Sequence, residues 1–232
     1  MAPIEERPRI DSTVGTGTTV AAGGAGAAQG GTGRSVGLLG GTFNPPHVGH
    51  LMLAECARDE LDLDVVLLVV AARPPHKLVD GDPGPDARLE LCRAAIADEA
   101  GRLEVCDVEL HRDGPSYTAD TLHRLTTDRP HDRFTLLLGG DAAAGLESWH
   151  RPRDVCAYAE IGVAERGVDD HARARETLRR LGAVQRMRPF ALPPIGLSST
   201  IVRDRVRAGR TIRHLVPRAV EARILDDGLY RA

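Results

Sequence analysis

Aromatic side chains are scarce in this sequence: three Phe, three Tyr and one Trp among 232 residues. With no ladder of stacking rings, a nucleic-acid surface has little to work with. An excess of one charge is missing too. The 30 Lys and Arg stand against 33 Asp and Glu, for a formal charge of −3, and no basic block interrupts the chain. No nucleic-acid partner is therefore expected. No run of about 18 apolar residues is present, so no membrane span is expected, and the first residues lack the charged-then-apolar pattern of a secretion signal. The four cysteines, Cys56, Cys92, Cys106 and Cys156, are far apart and sit in apolar surroundings. They read as buried thiols in a reducing, cytoplasmic compartment rather than as disulfides. HExxH and CxxC motifs are absent near the histidine-rich stretch described below, and no internal repeat is evident.

What is present divides in two. Residues 1–34 are dominated from Thr13 onward by Gly, Ala and Thr, with little to bury, and read as a disordered tail. A start codon placed too far upstream would look the same. Residues 35–232 are long enough for one α/β domain. Short apolar runs at 36–40, 64–70, 103–108, 134–138 and 159–164 alternate with helical stretches near 48–61, 85–100, 170–181 and 217–226. The helix from 85 is expected to bury Leu89, Cys92, Ala95 and Ile96 on one face. The run Val65-Val66-Leu67-Leu68-Val69-Val70 is apolar throughout, as a strand covered on both faces must be. The pattern predicts a doubly wound, Rossmann-like parallel sheet with helices on both faces.

The chain is organised around Gly40-Gly41-Thr42-Phe43-Asn44-Pro45-Pro46-His47-Val48-Gly49-His50. The layout is strand, glycine turn, proline-stiffened loop, helix. Glycines let backbone amides approach a ligand, and a helix N-terminus suits a phosphate. His47 and His50, three apart, can both serve the first turn. As a zinc pair they would need a third ligand. Several later segments fall at strand or helix ends, where open parallel sheets bind ligands. Lys77 follows Pro74-Pro75 beyond the second strand. Ser116 is expected to cap a helix running through Thr118 and Asp120. Gly139, Gly140 and Asp141 close the fourth apolar run. Trp149, the sole tryptophan, lies in a polar stretch. Ser198-Ser199-Thr200 with Arg203 forms a second helix start suited to phosphate. Taken singly, each has an ordinary reading as a cap, a surface charge or a packed ring.

The eleven-residue string resembles the GGTF(D/N)PxHxGH signature of the nucleotidylyltransferases, with Asn44 in place of the commoner Asp. Together with Pro74–Lys77, Pro115–Leu122, Gly139–Asp141, Ser148–Trp149, Ser198–Arg203 and the terminal Gly228-Leu229-Tyr230-Arg231, it is similar to the bacterial nicotinate-nucleotide adenylyltransferases over roughly 35–232. That resemblance implies an enzyme of NAD biosynthesis that moves AMP from ATP to nicotinate mononucleotide, with Mg²⁺ carried on the ATP. It implies His47, His50, Lys77 and Arg203 as catalytic residues. Gly40, Gly41, Thr42, Phe43, Gly139, Asp141, Ser199, Thr200 and Arg203 would bind ATP, and Thr118, Trp149 and Arg166 the nicotinate nucleotide. Arg166 stands in Glu165-Arg166-Gly167, where the family often has Arg-Pro-Gly, so its loop geometry is left open. No protein metal ligands are implied, and a homo-oligomer stays open.

Other readings remain at this point. An adenylyltransferase for nicotinamide mononucleotide or phosphopantetheine would differ in the pocket near Thr118 and Trp149. A carboxylate there needs donors only, a carboxamide a donor and an acceptor. A non-catalytic nucleotide sensor would not need both histidines. A fragment of a class I aminoacyl-tRNA synthetase would need a KMSKS-like loop and an RNA surface, and neither is found.

Overall fold

The computed structural model describes residues 33–74, 81–99, 101–165 and 168–231. Lys77 and Arg166 lie outside the described residues, as does nearly all of the expected tail. Six parallel strands form the sheet: β1 (Ser35–Gly41), β2 (Val65–Val70), β3 (Leu103–Cys106), β4 (Arg133–Gly139), β5 (Ala159–Glu165) and β6 (Met187–Ala191). Their order is β3-β2-β1-β4-β5-β6. The chain works outward from β1 in one direction, then restarts at β4 and works outward in the other. The switch between β1 and β4 opens a crevice at the carboxyl ends of the strands, which is where such sheets take ligands.

The two faces follow from alternation along each strand. All six β2 residues are buried. Val65, Leu67 and Val69 join Val36, Leu38, Phe134 and Leu136 on one face, covered by α3 (Thr118–Asp128), α5 (Pro152–Tyr158) and α6 (Val168–Arg180). Val66, Leu68 and Val70 join Leu39 and Leu137 on the other, covered by α1 (Val48–Glu60) and α2 (Pro85–Ala95). Two glycines leave room for Leu137. A Cβ on Gly37 of β1, or on Gly162 of β5, would come within 3.2 or 2.8 Å of its methyl carbons. A third apolar cluster joins α2 to α7 (Ser199–Arg207), α8 (Arg218–Asp226) and the buried Tyr230. Gly228, at φ 63°, turns the chain after α8 so that Tyr230 can be buried.

The structure adds elements that the pattern of residues did not suggest. β6 contains Arg188 and Pro189 and so does not read as a strand. It is tolerated because it is the edge of the sheet, pairing with β5 alone. The polar stretch around Trp149 carries a 3₁₀ turn at Leu146–Ser148 and then α5, whose first residue is Pro152. A proline is well placed at a helix start because its missing N–H would have had no partner there. A short helix, α4 (Gly140–Ala144), follows β4 directly. The third strand is shorter than expected, ending at Cys106, and α2 stops at Ala95. All four cysteines are free thiols. Cys92 and Cys156 are buried, the other two half-buried, and burial pushes each thiol's pKa up.

Candidate active site

The motif loop leaves β1 at Gly41 and reaches α1 at Val48. Phe43 sits in it at φ 50°, an uncommon conformation for a residue with a Cβ. Its ring folds back under Gly41, where an added Cβ would lie 3.1 Å from it, and meets His50 edge-on at 5.0 Å. Phe43 is thereby a core side chain, 2% exposed. The two histidine rings stack at 3.7 Å with 26° between planes. The His47 N–H donates to His50 Nδ1 at 3.1 Å. Since Nδ1 accepts, the neutral His50 ring carries its proton on Nε2. The first amide of α1 is not open to a ligand, because Val48 N–H is given to the Leu215 carbonyl.

His47 is 6% exposed, and burial lowers its pKa from 6.5 to about 4. A charged imidazole loses more hydration there than the neutral ring does. In the free protein at neutral pH it is therefore a hydrogen-bonding group and not a cation.

The helix start at α7, some 150 residues further on, is sewn to this loop. Ser198 caps α7, accepting from Ile201 N–H at 3.3 Å. Ser199 Oγ donates to the Pro45 carbonyl at 2.8 Å. Arg203 is buried and donates from Nη1 to the Asn44 carbonyl at 2.7 Å and from Nη2 to Thr200 Oγ1 at 3.3 Å. Gly41, Thr42, His47, His50, Ser199, Thr200 and Arg203 consequently line one open cavity of about 450 Å³, within the range of a small-ligand site. Four buried polar atoms in this lining, Asn44 Nδ2 and Oδ1, His47 Nδ1 and Arg203 Nε, have no hydrogen-bond partner among the described residues. Buried groups left so are uncommon and costly, and water or a bound polar ligand satisfies them. No carboxylate is among the described lining residues, and no group of three or more His, Cys, Asp or Glu able to hold a metal occurs among the described residues. The described lining offers donors suited to an anion.

A second hollow of about 100 Å³ lies at the ends of β1, β2 and β4, lined by Gly40, Gly41, Ser116, Thr118, Glu109 and Trp149 among others. This is room for one ring or one group and not for a whole nucleotide. Gly41 borders both hollows. Trp149 is half-buried and packs against the core at the same time as it lines this space. Glu109 is buried there, accepting from Thr121 Oγ1 at 2.6 Å.

The expected cap at Ser116 is corrected here. The N-cap of α3 is Tyr117, with no side-chain cap bond. Ser116 turns instead to Arg73, whose N–H it accepts at 3.1 Å and to whose carbonyl it donates at 2.9 Å. The hydroxyl takes the Arg73 amide of the chain leaving β2, while the Ser116 backbone N–H takes the Arg73 carbonyl, so the hydroxyl is engaged away from the helix start. Gly139 and Asp141 stand at the end of β4 and in the first turn of α4, and line neither hollow. The Asp141 side chain is 89% exposed and paired with Arg173 at 2.9 Å. A different hollow, of about 540 Å³, lies at the amino ends of β1, β4, β5 and β6. There Arg133, Arg186 and Arg188 are offset by Asp62, Asp132 and Glu160, at the edge opposite to the crevice.

The order of the sheet places the chain in the doubly wound α/β class, with a donor-rich cavity beyond the end of its central strand β1. A family profile described as cytidylyltransferase-like matches residues 38–205. A Salinibacter ruber protein named probable nicotinate-nucleotide adenylyltransferase is 41% identical over 197 residues, spanning 85% of this chain and 98% of its own. A Thermus thermophilus protein of the same name is also 41% identical over 197 residues, spanning 84% of this chain and 99% of its own. Among solved structures, Plasmodium falciparum nicotinic acid mononucleotide adenylyltransferase complexed with NaAD superposes with a TM-score of 0.68 at 17% identity, over 85% of this chain and 97% of that one. That is a likeness of fold. The chain belongs to the nicotinate-nucleotide adenylyltransferases of the cytidylyltransferase-like family.

Proposed function

We propose that this protein transfers the adenylyl group of ATP to nicotinate mononucleotide, forming deamido-NAD and pyrophosphate. One observation carries the reading. Two hollows of different chemistry, one rich in donors and one sized for a ring beside Trp149 and Thr118, share Gly41. A triphosphate in the first and a nicotinate ring in the second would bring the acceptor phosphate to the α-phosphorus near that glycine. A phosphate oxygen of the mononucleotide then attacks the α-phosphorus. The bond to the bridging oxygen breaks, and pyrophosphate leaves with the electron pair. No protein nucleophile takes part, so the protein contributes alignment and charge stabilisation.

In this reading His50 donates from Nε2 to an α-phosphate oxygen. His47 enters neutral, and the approaching polyphosphate raises its proton affinity. Arg203, Thr200 and the first turn of α7 hold the β- and γ-phosphates, with Gly40, Gly41, Thr42 and the Phe43 backbone closing the nucleotide side. Gly139 and Asp141 would bound the cleft from the end of β4 and the first turn of α4, across the switch. Lys77 would steady the departing pyrophosphate and Arg166 the nicotinate nucleotide. Magnesium enters as part of the ATP substrate, held by phosphate oxygens and water. Residues 35–232 would form the catalytic domain, with the preceding segment dispensable and the protein working in the cytoplasm.

The test is pyrophosphate release from ATP, Mg²⁺ and each acceptor in turn. Nicotinate mononucleotide should turn over much faster than its amide counterpart, and comparable rates would sink the nicotinate assignment. The His50→Ala variant should lose about a hundredfold or more in kcat, on the order of 3 kcal/mol of transition-state stabilisation. Full turnover in that variant would remove His50 from the chemistry.

A further inference from the structure

One fully buried charged side chain has no part in the chemistry above. Arg88, on α2, has no exposure to solvent. Its Nη1 donates to the Thr42 carbonyl at 2.8 Å and the Ala71 carbonyl at 2.7 Å. Nη2 donates to the Ala72 carbonyl at 3.3 Å, and Nε to Asp82 Oδ1 at 3.1 Å. The four acceptors belong to three separate segments: the motif loop, the chain leaving β2, and the turn before α2. A planar fork of five N–H groups can serve them together, whereas an ammonium offers three donors from one point. The β1–β2 ladder runs up to this cluster, since Ala71 N–H donates to the Gly41 carbonyl at 2.9 Å. One residue beyond Ala72, Arg73 exchanges its two bonds with Ser116, and Ser116 lines the smaller hollow beside Thr118. Direct contacts thus run from Thr42 in the larger cavity, through the Arg88 guanidinium and Ala71–Arg73, to Ser116 in the smaller one.

We propose that Arg88 is a positioning residue that holds the two half-sites at a set distance and orientation, so that occupation of one prepares the other. The proposal rests on the function argued above. It assigns Arg88 no contact with substrate. An apolar side chain could fill the same volume, but it would leave three carbonyls at the carboxyl edge of the sheet without donors and the motif loop free to shift. A shift of about 1 Å between reacting groups is enough to cost a hundredfold in rate.

The experiment measures nicotinate mononucleotide affinity by calorimetry with and without a saturating, non-hydrolysable ATP analogue. It uses the full chain and its Arg88→Lys and Ser116→Ala variants. The unaltered protein should bind the mononucleotide at least about fivefold more tightly with the analogue present. Both variants should bring that ratio below about twofold. Arg88→Lys should also lose about a hundredfold in kcat, with each KM within about threefold. A merely structural Arg88 would lower the unfolding temperature of Arg88→Lys but leave the ratio, and kcat per folded molecule, as they were, and that result overturns the proposal. A ratio near one in the unaltered protein overturns it as well. Should Arg88→Lys not fold, Ser116→Ala tests the link itself, since it removes the hydroxyl that accepts from Arg73 N–H and keeps the backbone bond and the guanidinium, and an unchanged ratio there overturns the proposal. Failure to bind nicotinate mononucleotide at all defeats the proposed function, whereas binding without coupling defeats only this inference.

Discussion

His47 ties stability to pH through a single buried ring. Its pKa is lowered to about 4 in the folded chain against 6.5 for an exposed imidazole, so between those values the unfolded chain binds the proton and the folded chain does not. Stability from this group is complete above pH 6.5 and is lost as pH falls toward 4, by about 3 kcal/mol in all. Urea midpoints measured from pH 7 to pH 4 should fall along that slope, and His47→Asn should flatten it. An equal slope in the variant would assign the effect to other groups. At this scale the motif histidines were legible because their spacing is local. Arg88 was not, although a signal existed: it falls four residues before Cys92 and seven before Ala95, on the face of α2 that is buried. A charge on an apolar face announces burial, but its acceptors, Thr42, Ala71 and Ala72, become partners only through folding.

Among the elements, the joint between the motif loop and α7 makes the cavity. Two side-chain bonds cross it, from Ser199 to Pro45 and from Arg203 to Asn44. Ser199→Ala removes the first and should cost about 1 kcal/mol of stability. It should also raise KM for ATP several-fold while leaving that for nicotinate mononucleotide unchanged, as steady-state rates with each substrate varied will show. An unchanged KM for ATP would separate α7 from triphosphate binding. Element type was readable where the local signal is plain, as in the unbroken apolar run of β2 and the helix-forming residues that follow the motif loop in α1. It was unreadable in β6, where Pro189 and Arg188 break the strand pattern and only the open edge beside β5 makes them acceptable. Ser116 shows the same limit at a helix end. Its hydroxyl has the chemistry of a cap, yet it takes the Arg73 amide of the chain leaving β2.

For the molecule as a whole, the β3-β2-β1-β4-β5-β6 order places every expected and described phosphate-side residue except Gly139 and Asp141 around one of two adjoining hollows. A ligand that binds only the folded chain stabilises it by mass action, by about 2.7 kcal/mol at one hundred times its Kd. For a chain of this size that corresponds to a rise of roughly 5–10 °C in unfolding temperature. ATP with Mg²⁺ should give such a rise, and so should nicotinate mononucleotide. No shift with either would leave the cavities without their assigned occupants.

The amino-acid sequence by itself determined the alternation of strand and helix, the glycine-proline loop with its two histidines, and the hydroxyl-rich start of α7. Each of these depends on residues within a few positions of one another, where backbone preference and side-chain period act directly. Tertiary structure alone decided that Arg203 would meet the Asn44 carbonyl from 159 positions away, that the two hollows would share Gly41, and that Arg88 would stand between them. Those relations arise when the sheet is assembled around β1, since buried donors must then take whichever acceptors the packed strands bring within reach.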